Sequence, residues 1–205
     1  SWRGHIGYIF SLGFSPDGMT LFSAGGEDRY VKLWGAGDGH YLGAFLAPSG
    51  YLIVSVSPDL RIIGFYRDRS FKMWSLSEKR FTDLKGQVPV VTSGVFSHDG
   101  QILAIGSRNG DIQLWNVSDG QKIRDLGEFG REVVSLAFTS DGQMVAAGLD
   151  DGKIKLLRVS DGALVKVLEG HTQSVNSLSF SADGRLLASG SDDATVRVWL
   201  IETTN

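Results

Sequence analysis

Ser189, His171 and Asp193 are a hydroxyl, an imidazole and a carboxylate, the residue types of a hydrolase triad. Such a triad works only if the hydroxyl is exposed to a substrate and faces donors for an oxyanion. Asp-Gly pairs at Asp17-Gly18, Asp99-Gly100, Asp141-Gly142 and Asp183-Gly184 raise calcium as a ligand. A calcium loop gathers several oxygen ligands at alternate positions, whereas each of these turns offers one Asp. Gly35-Ala-Gly-Asp-Gly39 contains Gly-x-Gly, yet a phosphate loop needs a helix behind it and this stretch lies between two strand-like runs. Arg61, Arg67, Arg69 and Lys72 surround Phe65, Tyr66 and Phe71, a mixture that also suits single-stranded nucleic acid. A solvated outer face explains that cluster with fewer assumptions.

The elements that carry these residues repeat. A hydrophobic run ends near Phe-Ser-x-Asp-Gly, a small-residue run follows, and an alternating run ends on an aromatic. The Asp landmarks are Asp17, Asp59, Asp99, Asp141 and Asp183, spaced by 42, 40, 42 and 42 residues. The aromatic slot is Trp34, Trp74, Trp115, Leu157 and Trp199, spaced by 40, 41, 42 and 42. A fixed period of this size marks a repeat architecture. Within the last repeat, residues 174–180 read as a buried inner strand, 181–184 as a tight turn, 185–191 as a second strand, and 195–201 as a polar–apolar alternating third. Residues 40–46, 79–84, 121–126 and 163–168 supply a fourth strand to the earlier repeats. Each unit is therefore an antiparallel meander, and radial repetition of such units makes a β-propeller. The repeats run 4–46, 47–84, 85–126, 127–168 and 169–205, and the whole of 1–205 is expected to be one propeller domain or a fragment of one.

Composition narrows the function. The 205 residues carry a net charge of −3 of mixed sign, which argues against nucleic acid or an anionic membrane as main partner. No apolar run reaches the roughly 18 residues of a membrane span. The chain has no cysteine, hence no disulfide framework and no thiolate chemistry, which fits a reducing, cytoplasmic setting. His5, His40, His98 and His171 fall in different repeats and slots, so no shared metal site is expected, and no cofactor motif stands out.

The pattern resembles the WD-repeat (WD40) family over the whole chain. Gly170-His171, Phe180-Ser-Ala-Asp-Gly184 and Leu187-Ala-Ser-Gly-Ser-Asp-Asp193 running into Val196-Arg-Val-Trp199 carry the resemblance. Gly4-His5, Phe14-Ser-Pro-Asp-Gly18 and Val31-Lys-Leu-Trp34 repeat it at the other end. The name-giving Asp after Trp is absent: Gly35, Ser75, Asn116, Arg158 and Leu200 stand there. The resemblance implies a buried hydrogen-bond network linking Trp199, Ser189, His171 and Asp193, which accounts for the apparent triad without catalysis. It maps fully onto the last repeat alone, which should be the stiffest. The first repeat keeps His5, Asp28 and Trp34 but is expected to have Ala24 in the serine slot. Asp68 and Trp74, Asn109 and Trp115 with Ser107 nearby, and Asp151 are the remnants elsewhere.

The resemblance also implies a function. WD-repeat proteins bind partners through the rim of the central channel, using two slots near the start of the inner strand and one just before the blade Asp. In this sequence these are Tyr8, Phe10 and Glu27; Gly50, Leu52 and Arg67; Val90, Thr92 and Arg108; Glu132, Val134 and Asp150; and Ser174, Asn176 and Asp192. Tyr8, Phe10, Leu52, Val90 and Val134 would form an apolar patch flanked by Arg67 and Arg108, the composition of a protein-binding hot spot; Val90 and Val134 equally suit ordinary inner-strand core. The expected protein is a non-catalytic scaffold that binds proteins or peptides. Alternatives are a sensory propeller appended to an ATPase, kinase or protease, or a self-assembling structural subunit. The resemblance implies seven blades as the usual closure, and five repeats are visible, with Trp2 aligned to Leu168 as part of a strand. A larger ring completed by another chain or segment is the expectation, ahead of a five-bladed ring or an oligomer.

Overall fold

The computed structural model describes residues 4–201 except 16, 26 and 48–51, and leaves the side chains of Phe10 and Leu52 undescribed. Trp2 and Gly50 therefore lie outside the described residues. The chain forms two compact units, residues 1–84 and 85–205.

The first unit holds two blades. Blade 1 is a meander of β1 (Ile9–Phe14), β2 (Thr20–Gly25), β3 (Tyr30–Gly35) and β4 (Tyr41–Leu46). Blade 2 is β5 (Leu52–Val56), β6 (Ile62–Arg67), β7 (Ser70–Ser75) and β8 (Arg80–Asp83). The second unit holds three. Blade 3 is β9 (Val91–Phe96), β10 (Ile102–Ser107), β11 (Asp111–Asn116) and β12 (Lys122–Glu128); blade 4 is β13 (Val133–Phe138), β14 (Met144–Leu149), β15 (Ile154–Arg158) and β16 (Leu164–Leu168). Blade 5 is β17 (Val175–Phe180), β18 (Leu186–Ser191) and β19 (Val196–Leu200), three-stranded among the described residues. The fold class is all-β and the sheets are β-propeller blades, as the repeat predicts.

The period-2 alternation in sequence becomes one buried and one half-buried face. On β7, Phe71, Met73 and Ser75 are buried between half-buried neighbours. Ile112 and Leu114 of blade 3 pack on Val133 and Leu136 of blade 4. Ile154 and Leu156 of blade 4 pack in turn on Val175 and Leu187 of blade 5. Within the first unit Phe22, Ala24 and Val31 meet Ile53, Ile63 and Phe65. Third-strand residues of one blade thus cover inner-strand and second-strand residues of the next. Hydroxyls tie the inner strands as well: Thr92 Oγ1 donates to the Val133 carbonyl and Ser135 Oγ to the Val175 carbonyl, each at 2.7 Å.

The recurrent turn has one chemistry throughout. In all five copies a hydroxyl (Ser15, Ser57, Ser97, Thr139, Ser181) donates to the Asp two residues on, at 2.5–2.6 Å. That Asp accepts the backbone N–H two residues further on, at 2.9–3.1 Å. The same hydroxyl oxygen accepts the N–H that opens the second strand, at 2.9–3.0 Å. The residue after the Asp has positive φ, glycine in four turns and Leu60 at φ 59° in the fifth. These Asp residues close the turns.

Candidate functional site

The apparent triad is a buried chain of hydrogen bonds. His171 Nδ1 lies 2.8 Å from Asp193 Oδ2, His171 Nε2 lies 2.8 Å from Ser189 Oγ, and the Trp199 indole donates to the same hydroxyl at 2.8 Å. A carboxylate only accepts, so Nδ1 carries the proton, Nε2 accepts from Ser189, and Ser189 accepts from Trp199. The His171 side chain is 0% exposed, and Ser189 is buried. The Ser189 hydroxyl is therefore not offered to a substrate. Asp193 also accepts from the Thr195 hydroxyl at 2.6 Å and from the Thr172 N–H at 3.0 Å. The Thr195 bond, ahead of those from Thr172 and His171, holds its carboxyl well below the usual range against the opposing effect of desolvation.

Blade 1 contains the same network, which corrects the expectation that the last repeat alone does. His5 bonds Asp28 at 2.8 Å and Ser23 at 2.6 Å, and the Trp34 indole donates to Ser23 at 2.9 Å. Burial would raise the Asp28 carboxyl, but the N–H of Tyr30, Lys32 and His5 together pull it down. The serine slot is filled by Ser23, and Ala24 is its buried neighbour. Ser23 pairs with Lys32 just as Ser189 pairs with Arg197, but Ala24 pairs with Val31 where Gly190 pairs with Val196. The blade 1 hairpin is one residue longer, so counting back from its Asp misses the serine. The premise for expecting the last blade alone to be stiffened by this network therefore does not hold.

The same register puts Phe65, Ile105 and Ala147 in the slot of blades 2, 3 and 4. Ser107 instead caps its own hairpin through Asp111. Trp115, wholly buried, has an indole N–H with no hydrogen-bond partner.

The rim slots come together within the second unit by a repeated backbone bond. The N–H of Arg108 donates to the Val90 carbonyl at 3.0 Å, that of Asp150 to Glu132 at 3.1 Å, and that of Asp192 to Ser174 at 3.0 Å. Each blade thus presents its paired slots at the same end. Arg108, Asp150, Asn176 and Asp192 are exposed, and Val90, Thr92, Glu132, Val134 and Ser174 are partly buried. Arg108 Nε stands 3.7 Å from Glu132 Oε2, and the Asn176 amide donates to Asp192. In the first unit Tyr8, Glu27 and Arg67 are exposed, and Arg67 Nε lies 3.0 Å from Asp68. Phe10 and Leu52 lie on β1 and β5, with their side chains outside the description. Val133, one residue before Val134, is the member of β13 that is fully buried. Within the second unit these slots offer an exposed guanidinium and exposed carboxylate groups. Among the described residues no three His, Asp or Glu converge as a metal site.

Comparison with known proteins follows the repeat. Residues 1–35, 78–116 and 162–199, more than half of the chain, match the model for the WD domain, G-beta repeat. Residues 119–175 match that for the anaphase-promoting complex subunit 4 WD40 domain. The chain is 32% identical over 129 residues to protein tipD of Dictyostelium discoideum, covering 61% of this chain and 21% of that protein. Two proteins of Oryza sativa subsp. japonica are also similar: small ribosomal subunit protein RACK1z, 32% identical over 124 residues, and RACK1y, 33% over 126. Both alignments cover 57% of this chain and 37% of the relative. The chain thus spans well under two thirds of the length of these relatives.

Proposed function

Because the chain belongs to the WD-repeat family, we propose that it is a non-catalytic binding platform that holds a protein or peptide partner on the rim slots. The observation that carries this reading is the repeated Arg108–Val90, Asp150–Glu132 and Asp192–Ser174 backbone pairing, which sets exposed charged side chains at one end of three successive blades. Groups held by backbone hydrogen bonds lose little entropy when a partner docks. Two relatives are named as small ribosomal subunit proteins, members of a multicomponent assembly, which supports a role inside a complex. Burial of the His–Ser–Asp groups supports the non-catalytic half of the reading.

The test is capture of partners by the wild-type chain alongside Arg108→Ala and Tyr8→Ala. Both side chains are exposed, so neither change should alter the thermal midpoint. Loss of a captured protein with each variant supports the rim; retention of every partner by both sinks it.

A further inference from the structure

The first unit contains a pocket of about 370 Å³ between blades 1 and 2, lined entirely by residues of that unit. β4 supplies Phe45 on one side. Blade 2 supplies Ile63 and Phe65 from β6, Trp74 from β7 and Phe81 from β8 on the other. These four share a sheet face, because Ile63 pairs with Trp74, Trp74 pairs with Phe81, and Phe65 lies two residues along from Ile63. Phe81 tilts against Trp74 at a centroid distance of 4.6 Å and meets Phe65 edge-on at 6.3 Å, so the three rings form one wall.

Two departures from the repeat shape this pocket. The outer-strand partner of Leu33 is Gly43, whereas Leu114 and Leu156, in the same register of blades 3 and 4, have Arg124 and Lys166 as partners. A Cβ at Gly43 would meet no atom within 4 Å. The second departure is Phe65, which stands in the slot where Ser23 and Ser189 accept from the Trp34 and Trp199 indoles. Trp74 has thereby lost its acceptor, and its indole N–H donates to no group among the described residues. A half-buried indole donor among apolar side chains favours an added acceptor. The charged groups on this face are already matched: Lys72, which pairs with Phe65, is bonded to Asp83.

We infer that this pocket binds one neutral, planar aromatic molecule that carries a carbonyl-type acceptor. Its rings lie against Phe65, Trp74 and Phe81, and its acceptor takes the Trp74 N–H. The volume falls within the roughly 300–1,000 Å³ of small-molecule sites, and an apolar, aromatic lining with a single polar handle is their usual composition. The pocket shares no residue with the rim slots, so this inference stands or falls apart from the partner proposed for them.

The probe is prodan, a neutral naphthyl ketone whose emission moves to the blue when it leaves water. Fluorescence titration should show saturable binding of one probe per chain. In heteronuclear NMR spectra the Trp74 indole peak should move on titration, and those of Trp34 and Trp199, already bonded to Ser23 and Ser189, should stay. Trp74→Phe keeps an aromatic ring but removes the donor, and Phe81→Ala removes part of the ring wall. Each should weaken prodan binding by about tenfold, with circular dichroism as the check on folding. The indole peak needs no variant, so the inference remains testable if either substitution impairs folding. A wild-type chain without saturable binding, a Trp74 peak that stays in place at saturation, or two folded variants that bind as tightly as the wild type overturns the inference.

Discussion

In blades 1 and 5 an indole N–H, a serine hydroxyl, an imidazole and a carboxylate form a line in which every inward-facing polar atom has a partner. Removing one member strands the others in a buried setting, where an unpaired group costs about 1–3 kcal/mol. Ser23→Ala and His171→Ala should therefore each lower stability by about that much in urea titration, and a change near zero would refute the network in that blade. The indole protons give an independent reading. Those of Trp34 and Trp199 should resonate downfield of Trp115, which pairs with Leu103 and is buried without an acceptor; a downfield Trp115 proton would contradict that geometry. Most of this site was legible in sequence because a WD-type slot dictates the residue type. Ser23 escaped because its hairpin has one additional residue: counted forward from Asp17 it falls six positions on, as Ser189 does from Asp183.

Hairpin tips expose a second layer of physics at the scale of the element. Where blades 3 and 4 put Gly110 and Gly152 in the left-handed region, blade 2 places Asp68 and Arg69 there at φ 48° and 61°. These two residues join Arg67 to Ser70 as a two-residue loop. Positive φ at both positions is the type I′ geometry, for which Asp-Gly is the favoured pair. Arg69→Gly should relieve the contact of Cβ with the backbone and raise stability by about 0.5–1 kcal/mol, net of the greater entropy of the unfolded chain. A loss of stability in denaturant titration would show that the Arg69 side chain has a role the geometry omits. Leu60, also at positive φ, is a poorer site for the same change because it packs against the core of the first unit. The strands themselves were readable from alternation and the turn residues from type. Which non-glycine residues bear left-handed strain was not, since that follows from loop length and pairing.

Over the whole molecule, the repeat places every blade's core-facing residues, but a slot identity states what a side chain is made to cover and not whether a neighbour is present. Ile9 and Val175 read alike in sequence and differ entirely in burial. The same repetition concentrates one kind of titration. Asp17, Asp99 and Asp183 are held below the ordinary carboxylate range, first by the hydroxyls of Ser15, Ser97 and Ser181 and then by a backbone N–H. Asp193 is held lower still, chiefly by Thr195. A carboxyl whose folded pKa is depressed contributes stability that is fully present above its unfolded pKa of about 3.9 and is lost as pH falls through that value toward the folded one. Because the device recurs along the chain, the losses coincide. The thermal midpoint should stay level from neutrality down to about pH 5 and then fall steeply toward pH 3. Thr195→Val should lower the midpoint at neutral pH and flatten that acid limb, because it removes the largest force on Asp193. A midpoint that holds between pH 5 and 3, or an acid limb unchanged by Thr195→Val, would show that these turn and network carboxylates do not couple folding to protonation.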